Sequence, residues 1–138
     1  MIKINRNTLT AEQFNELVES VGWKVNSNEQ VNIALKNSLY TVCILKDDKV
    51  VGMGRMIGDK AMSYFIRDVV VLPNYQGKGI GRIIIKDMMA FIKETNKKGY
   101  KCIVELTSAS QKEGFYEKFG FKRRPCDTSG HGMFLLME

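Results

Sequence analysis

The apolar positions of this chain change period several times, and each change marks a predicted element. Ile2 to Asn5 reads as a short strand. Thr10-Ala11-Glu12-Gln13 then has the form of a capping box, a hydroxyl cap followed three residues later by Gln. The helix it opens runs to about Val21, with Phe14, Leu17, Val18 and Val21 on one face. A weaker helix is predicted over Asn28 to Asn37, with Val31, Ala34 and Leu35 as its apolar side. From Leu39 the pattern becomes apolar and β-branched. Leu39 to Leu45, Val50 to Ile57 and Met62 to Leu72 read as a three-strand meander, with a turn at Asp47-Asp48-Lys49. Helical spacing returns from Arg82, where Ile84, Ile85, Met88, Met89 and Ile92 recur until about Asn96, ahead of Gly99. Cys102 to Thr107 is then a strand and Gln111 to Phe119 a short helix; Phe121 and Met133 to Met137 are predicted as the closing strands.

A strand joined through a helix to another strand implies a parallel pair made by a right-handed crossover, here inside an otherwise antiparallel sheet. The predicted class is a mixed α/β (α+β) sandwich. The 138 residues suit one domain over 1–138. With 44% hydrophobic and 26% charged residues the composition is that of an ordinary globule, which excludes fibrous and disordered classes. No apolar run approaches the length of a membrane span and the first residues lack a secretory core, so a cytoplasmic location and no membrane partner are expected. Cys43, Cys102 and Cys126 are far apart and without metal-ligand spacing; reduced thiols are expected, with Cys43 and Cys102 in strands, and no metal site. The net charge of +6 favours an anionic partner without choosing between nucleic acid, an acidic surface and a phosphorylated small molecule. The basic residues form no continuous stripe, so a dedicated nucleic-acid module is disfavoured.

The most informative stretch is VVVLPNYQGKGIGR, Val69 to Arg82, where a strand breaks at Pro73 and passes Gly77, Gly79 and Gly81 into a helix. Free backbone N–H groups and the positive end of a helix converge there, which makes an anion site. Glycines let a phosphate approach the backbone and permit unusual φ values. Lys78 and Arg82 add charge. The spacing fits neither G-x-x-x-x-G-K-[ST] nor G-x-G-x-x-G, so a nucleoside triphosphate and a dinucleotide are disfavoured. A glycine-rich turn without a ligand is the competing reading.

The run V-x-P-x-Y-Q-G-K-G-I-G, followed about thirty residues later by GFYEKFGF, resembles the GNAT superfamily, the GCN5-related N-acetyltransferases. Their acyl-CoA loop has the form Q/R-x-x-G-x-G/A, which Gln76, Gly79 and Gly81 satisfy in order. The match is clear from Arg67 to Phe121, while residues 1 to 60 agree in coarse secondary structure. RDVVV and GFYEKFGF are most similar to glucosamine-6-phosphate N-acetyltransferases and related small-amine enzymes. The resemblance implies acetyl-CoA as co-substrate. Its pyrophosphate would lie on the backbone of Gly77, Lys78, Gly79, Ile80, Gly81 and Arg82, with Gln76 opening the cofactor-binding loop, and its pantetheine arm would pair with Val70, Val71 and Leu72 as an added strand. The strands at Met62 to Leu72 and Lys101 to Thr107 would splay apart around the acyl group. The asparagine many members carry before the second motif is absent; the stretch reads Thr107-Ser108-Ala109-Ser110-Gln111, and Ser108 or Ser110 would supply a hydroxyl instead.

Attack of an amine on a thioester needs loss of a proton at nitrogen, donors for the developing oxyanion and a proton for the departing thiolate. By the resemblance Tyr116 is the general acid; from its spacing alone it is a core aromatic beside Phe115 and Phe119. Asp68 interrupts an apolar strand and shares a face with Val70 and Leu72, and a carboxylate there needs a partner. Its match to the aspartate of the RDVVV-like run implies that it orients the substrate ammonium or accepts its proton through water; the competing reading is a salt bridge to Arg55 or Arg67. Glu105 is a reserve carboxylate, and the backbone N–H of Val70 or Val71 is the oxyanion donor. His131 reads as a surface turn residue, Trp23 as packing between helices, and Met53, Met56 and Met62 as sheet packing. Lys112 and Lys118 either meet the adenosine 3′-phosphate or are solvated lysines on a short helix, the commoner case.

The expected function is acetyl transfer to a primary amine of a small molecule, with no nucleic-acid partner and a homodimer allowed. An acyl-CoA-binding regulatory module and an acetyltransferase acting on a protein amine are the alternatives. A sugar phosphate would call for a basic pocket from Arg55, Arg67 or Arg123, a polyamine for an acidic one, and an arylalkylamine for aromatics such as Tyr64 and Phe65.

Overall fold

The computed structural model describes residues 1–138. The elements are β1 (Ile2–Arg6), α1 (Ala11–Ser20), α2 (Asn28–Lys36), β2 (Tyr40–Lys46), β3 (Lys49–Gly58), β4 (Ser63–Val71), a single 3-10 turn (Pro73–Tyr75), α3 (Ile80–Thr95), β5 (Ile103–Leu106) and α4 (Glu113–Glu117). They fall into two compact units, Met1–Glu105 and Leu106–Glu138, which are described separately.

The first unit carries a five-stranded sheet in the order β1-β2-β3-β4-β5. The first three pairings are antiparallel. The pair β4–β5, made through α3, is parallel. The expected mixed sheet is therefore observed. α1 starts where the capping box places it: Thr10 accepts from the Gln13 N–H at 3.2 Å, and the Gln13 side chain accepts from the Thr10 N–H at 3.0 Å. α2 is capped by Ser27, whose hydroxyl oxygen accepts from the Gln30 N–H at 3.1 Å. α1 packs on α2 and lies against β3 and β4, while α3 lies against β2, β3 and β4.

The seat of α3 is set by two glycines. A Cβ at Gly54 would stand 2.8 Å from both Ile84 Cγ2 and Met88 Sδ, and one at Gly52 would stand 2.9 Å from Ile80 Cγ2. Ile80, Ile84, Ile85, Met88 and Ile92 are all buried along this contact, so the helix drops into a groove in β3 that any side chain would fill. A polar clasp fixes its rotation. Asp87 Oδ1 accepts from Arg6 at 2.6 Å and its Oδ2 accepts from the Tyr40 hydroxyl at 2.5 Å, tying α3 to β1 and β2. Burial, and then the bond to Asp87, raise the Tyr40 pKa, so the phenol stays a donor.

Several expectations are corrected. α3 begins at Ile80, two residues before Arg82, because the loop glycines already turn the chain into the helix. Phe121 and Met133 to Met137 are not strands: Met133 to Met137 are between 75% and 94% exposed apart from Phe134, which is 97% exposed, and no ladder partner meets them. Their β propensity was visible, but a strand exists only where a neighbour takes its hydrogen bonds. Trp23, at 41%, and Met62, at 70%, are exposed rather than packed, while Met53 and Met56 are fully buried. Cys43 is in β2 as expected, whereas Cys102 stands just before β5. Replacing Gly54 by Val should lower stability in urea denaturation by about 1–3 kcal/mol, the usual result of overpacking a filled interface. Unchanged stability would show that α3 is free to back away.

Candidate active site

β4 is irregular at the point where chemistry was expected. Met53 pairs with Val70 and Arg55 with Arg67, so Gly54 faces two residues, Asp68 and Val69. This is a β-bulge, and Asp68 occupies it with φ 52, a left-handed conformation that aspartate tolerates better than branched residues. Because cross-strand partners share a face, Arg67 and Val70, three residues apart, both lie on the face of Met53 and Arg55. The simple alternation assumed from the sequence is broken there.

The Asp68 carboxylate is mostly buried, and it is held by Arg55, whose Nε donates to Oδ2 at 2.7 Å. Arg55 Nη1 donates in turn to Ser38 Oγ at 3.3 Å, and the Ser38 hydroxyl donates to the Ala34 carbonyl at the end of α2 at 2.7 Å. The ion pair that competed with a catalytic role for Asp68 is thus present. It occupies one oxygen and leaves Oδ1 without a protein donor. Ser38 was missed in the sequence, where a hydroxyl after a helix carries no distinctive signal. Gly52 and Gly54, two apart in an apolar strand, were the available sign of close helix approach.

β5 is short. Its Ile103 N–H donates to the Met62 carbonyl at 2.9 Å, which aligns its start with the start of β4. Four residues at about 3.3 Å each cover about 13 Å, less than half of the nine-residue β4. β5 therefore leaves Arg67 to Val71, the stretch that contains the bulge, without a strand on the edge away from β3. That open edge contains Val70, buried, and Val71, half-buried, and leads through Leu72 and the 3-10 turn into the glycine loop.

In the loop Gly77 and Gly79 have φ +76 and +86, and an added Cβ would meet nothing within 4 Å at either. The conformation demands glycine, and the space a side chain would take stays open. Gly79 is the N-cap of α3 without a side-chain cap, so the N–H groups of Ile80, Gly81 and Arg82 have no intrahelical acceptor. Lys78, Gly79 and Arg82 are exposed, and Lys78 Nζ rests 5.6 Å from the Tyr75 ring centroid. Gln76 folds its side chain back, donating to the Val71 carbonyl at 2.9 Å and tying the loop to the end of β4. Two left-handed glycines, three open amides and two cations form a cradle that suits a diphosphate such as that of acetyl-CoA.

The second unit holds Tyr116 on α4, its ring edge-on to Phe115 at 5.0 Å and to Phe121 at 6.2 Å. Burial raises its pKa, so at neutral pH it is an intact phenol. Ser108 donates to the Ala109 carbonyl at 2.7 Å, while Ser110, Lys112, Lys118 and His131 are exposed. Arg123 is taken by Glu117 at 2.9 Å. In the first unit Tyr64 is fully buried with its hydroxyl on Asn96, so it offers no aromatic wall to a ligand. Glu105 on β5 is half-buried and already has a polar partner.

Residues 36–123 match the family model described as an acetyltransferase (GNAT) domain. The chain is 29% identical over 130 residues to the N-acetyltransferase ycf52 of Pyropia yezoensis, itself uncharacterised, covering 91% of this chain and 72% of that one. It is 29% identical over 124 residues to the chloroplastic GCN5-related N-acetyltransferase 1 of Arabidopsis thaliana, covering 88% and 61%. Among solved structures it is similar to a Staphylococcus aureus protein named a probable acetyltransferase, with a TM-score of 0.88 and 31% identity over 99% of this chain and 100% of that one. The glucosamine-6-phosphate N-acetyltransferase of Arabidopsis thaliana, at TM-score 0.71 and 19% identity, shares the fold.

Replacing Gly79 by Val should weaken coenzyme A binding at least tenfold by calorimetry, since a branched residue neither adopts φ +86 readily nor leaves the cradle open. Affinity within twofold of the parent protein would remove the loop as the diphosphate seat.

Proposed function

The chain belongs to the GNAT acetyltransferase family, and from that premise we propose that it acts as a single domain over residues 1–138, moving acetyl from acetyl-CoA to the primary amine of a small molecule in a ternary complex. The observation that supports this most is the continuity of the open β4 edge with the glycine cradle. An extended arm and a diphosphate can be held by one uninterrupted stretch of backbone, Val70 to Arg82. Acetyl-CoA, when bound, supplies a thioester whose carbonyl carbon accepts the amine.

The chain's own groups would work as follows. Val71 offers its main-chain amide along the open edge, where charge develops on the carbonyl oxygen, whereas the Val70 amide points to β3 in the same register as the Leu72 N–H, which donates to the Val51 carbonyl at 2.9 Å. Asp68 Oδ1 receives the incoming ammonium and orients it, and the proton that nitrogen must lose leaves through water beside that carboxylate. As the C–N bond forms and the C–S bond breaks, Tyr116 gives its phenolic proton to the thiolate and is reprotonated from solvent. The balance is one ammonium and one thioester in, one amide, one thiol and one proton out. Arg55 and Ser38 position Asp68 rather than react. Ser110 is placed near the pantetheine by the family resemblance alone. No helix is long and apolar enough to cross a membrane.

The raised Tyr116 pKa fixes the sign of the pH response: the acid is competent below its pKa, and turnover falls as pH rises through a value above the ordinary phenol range. Tyr116→Phe should lower kcat by about 100-fold or more, the usual contribution of a positioned acid, and should abolish that alkaline limb. Acetyl-CoA affinity, measured by calorimetry, should stay within a factor of two. A variant with parental kcat at every pH would leave Tyr116 as packing, and acetyl-CoA binding with no acetylation of any amine would favour a sensor of acyl-CoA.

A further inference from the structure

We propose that the acceptor is a primary amine that also carries an anionic group, a phosphate or carboxylate several bonds from the nitrogen, and that Arg67 receives this anion. The inference rests on the reading of Asp68 as the ammonium seat.

Six arginines occur in the chain. Arg6 is bound to Asp87, Arg55 to Asp68 and Arg123 to Glu117, and Arg124 also has a polar partner. Arg82, in the first turn of α3, is assigned to the diphosphate by the proposed function. Arg67 remains: it is exposed, has no carboxylate, and makes one contact, its guanidinium 5.2 Å from the Phe65 ring centroid.

Its position is unfavourable without a ligand. Arg67 is the direct cross-strand partner of Arg55, and like charges opposite each other on one face repel. Asp68 offsets only one of them, so two guanidiniums and one carboxylate leave +2 − 1 = +1 beside the bulge. A second cation on the acceptor would add to this charge, and an anion would remove it. The planar fork of arginine suits phosphate and carboxylate oxygens, and stacking on Phe65 holds it ready at small entropic cost.

The geometry also sets the spacing. Phe65 lies three residues before Asp68 on the same strand, and at about 3.3 Å per residue the anion seat is on the order of 7–10 Å from the ammonium seat. An α-amino acid is too short to bridge them. A phosphorylated aminoalcohol or aminosugar, or an ω-amino carboxylate, is long enough. The exposed Trp23 and Val25 argue for an aromatic acceptor instead, but they have no charged group to select an amine, whereas Asp68 and Arg67 together read both ends of a zwitterion.

The test is a matched panel: pentylamine, 5-aminopentanoate, 4-aminobutyl phosphate, cadaverine and tryptamine, each assayed by thiol release with acetyl-CoA. The parent protein should show kcat/KM at least tenfold higher for one of the two anionic amines than for pentylamine, the larger value telling phosphate from carboxylate. In Arg67→Ala that ratio should fall about tenfold, in Arg67→Lys it should be partly kept, and in Arg67→Glu it should invert towards cadaverine. Acetyl-CoA affinity and melting temperature report that each variant is folded. Preference for pentylamine, cadaverine or tryptamine in the parent protein, or an anionic-to-neutral ratio unmoved in Arg67→Glu, would overturn the inference while leaving acetyl transfer intact. Absence of acetyl-CoA binding, or of acetylation of any amine, would overturn the proposed function and this inference with it.

Discussion

The seat of α3 in the groove of β3 is the constraint on which the site depends. Gly52 and Gly54 allow Ile80 and Ile84 to come within a distance at which a Cβ would collide, so the start of the helix is pressed against the sheet. Amides at a helix terminus are useful for anion binding only if their direction is fixed, because a swinging terminus would spend binding energy on ordering. The buried helix face fixes the depth, and the clasp of Asp87 on Tyr40 and Arg6 fixes the rotation. Gly54 has a second role: it stands opposite the bulge, so the residue that admits α3 on one face also faces the two-residue step that displaces Asp68 on the next strand.

That bulge sits where the strand would otherwise carry two structural liabilities. An unpaired strand edge normally invites aggregation, and a carboxylate in an apolar strand is expensive without a partner. Here the open half of β4 is short, twisted by the bulge and followed at once by a turn, while Arg55 supplies the charge that Asp68 needs. The same ion pair occupies one carboxylate oxygen and leaves the other without a protein donor.

Much of this was legible because it is local. Thr10 and Gln13 announce α1 by capping chemistry, and the glycines at 77 and 79 announce left-handed residues before a helix whose apolar face repeats from Ile80 to Ile92. What was not legible depends on neighbours distant in sequence. Alternation gave Asp68 the correct face but could not reveal that Arg67 shares it, because the bulge exists only in the pairing with β3. The run from Met133 to Met137 has the composition of a strand and no ladder partner. Trp23 looks like core by residue type, yet burial is decided by where the loop between α1 and α2 passes, which no periodicity encodes.

The phenol proposed as acid raises an energetic question on which burial bears. In water a thiol near pKa 8.5 is a stronger acid than a phenol near 10, so proton transfer from tyrosine to a thiolate runs uphill by about 2 kcal/mol. Burial raises the Tyr116 pKa and, taken alone, makes this worse. A thiolate leaving into the same low-dielectric surroundings is destabilised by the same cause, and its basicity rises with that of the phenol. The transfer becomes nearly balanced only if both groups share one desolvated space. Histidine would be a poorer donor under those conditions, since burial lowers its pKa and removes the proton it must give. His131 is exposed and offers no desolvated surroundings. The contacts of Tyr116 with Phe115 and Phe121 would serve an acid of this kind by keeping water from the phenol.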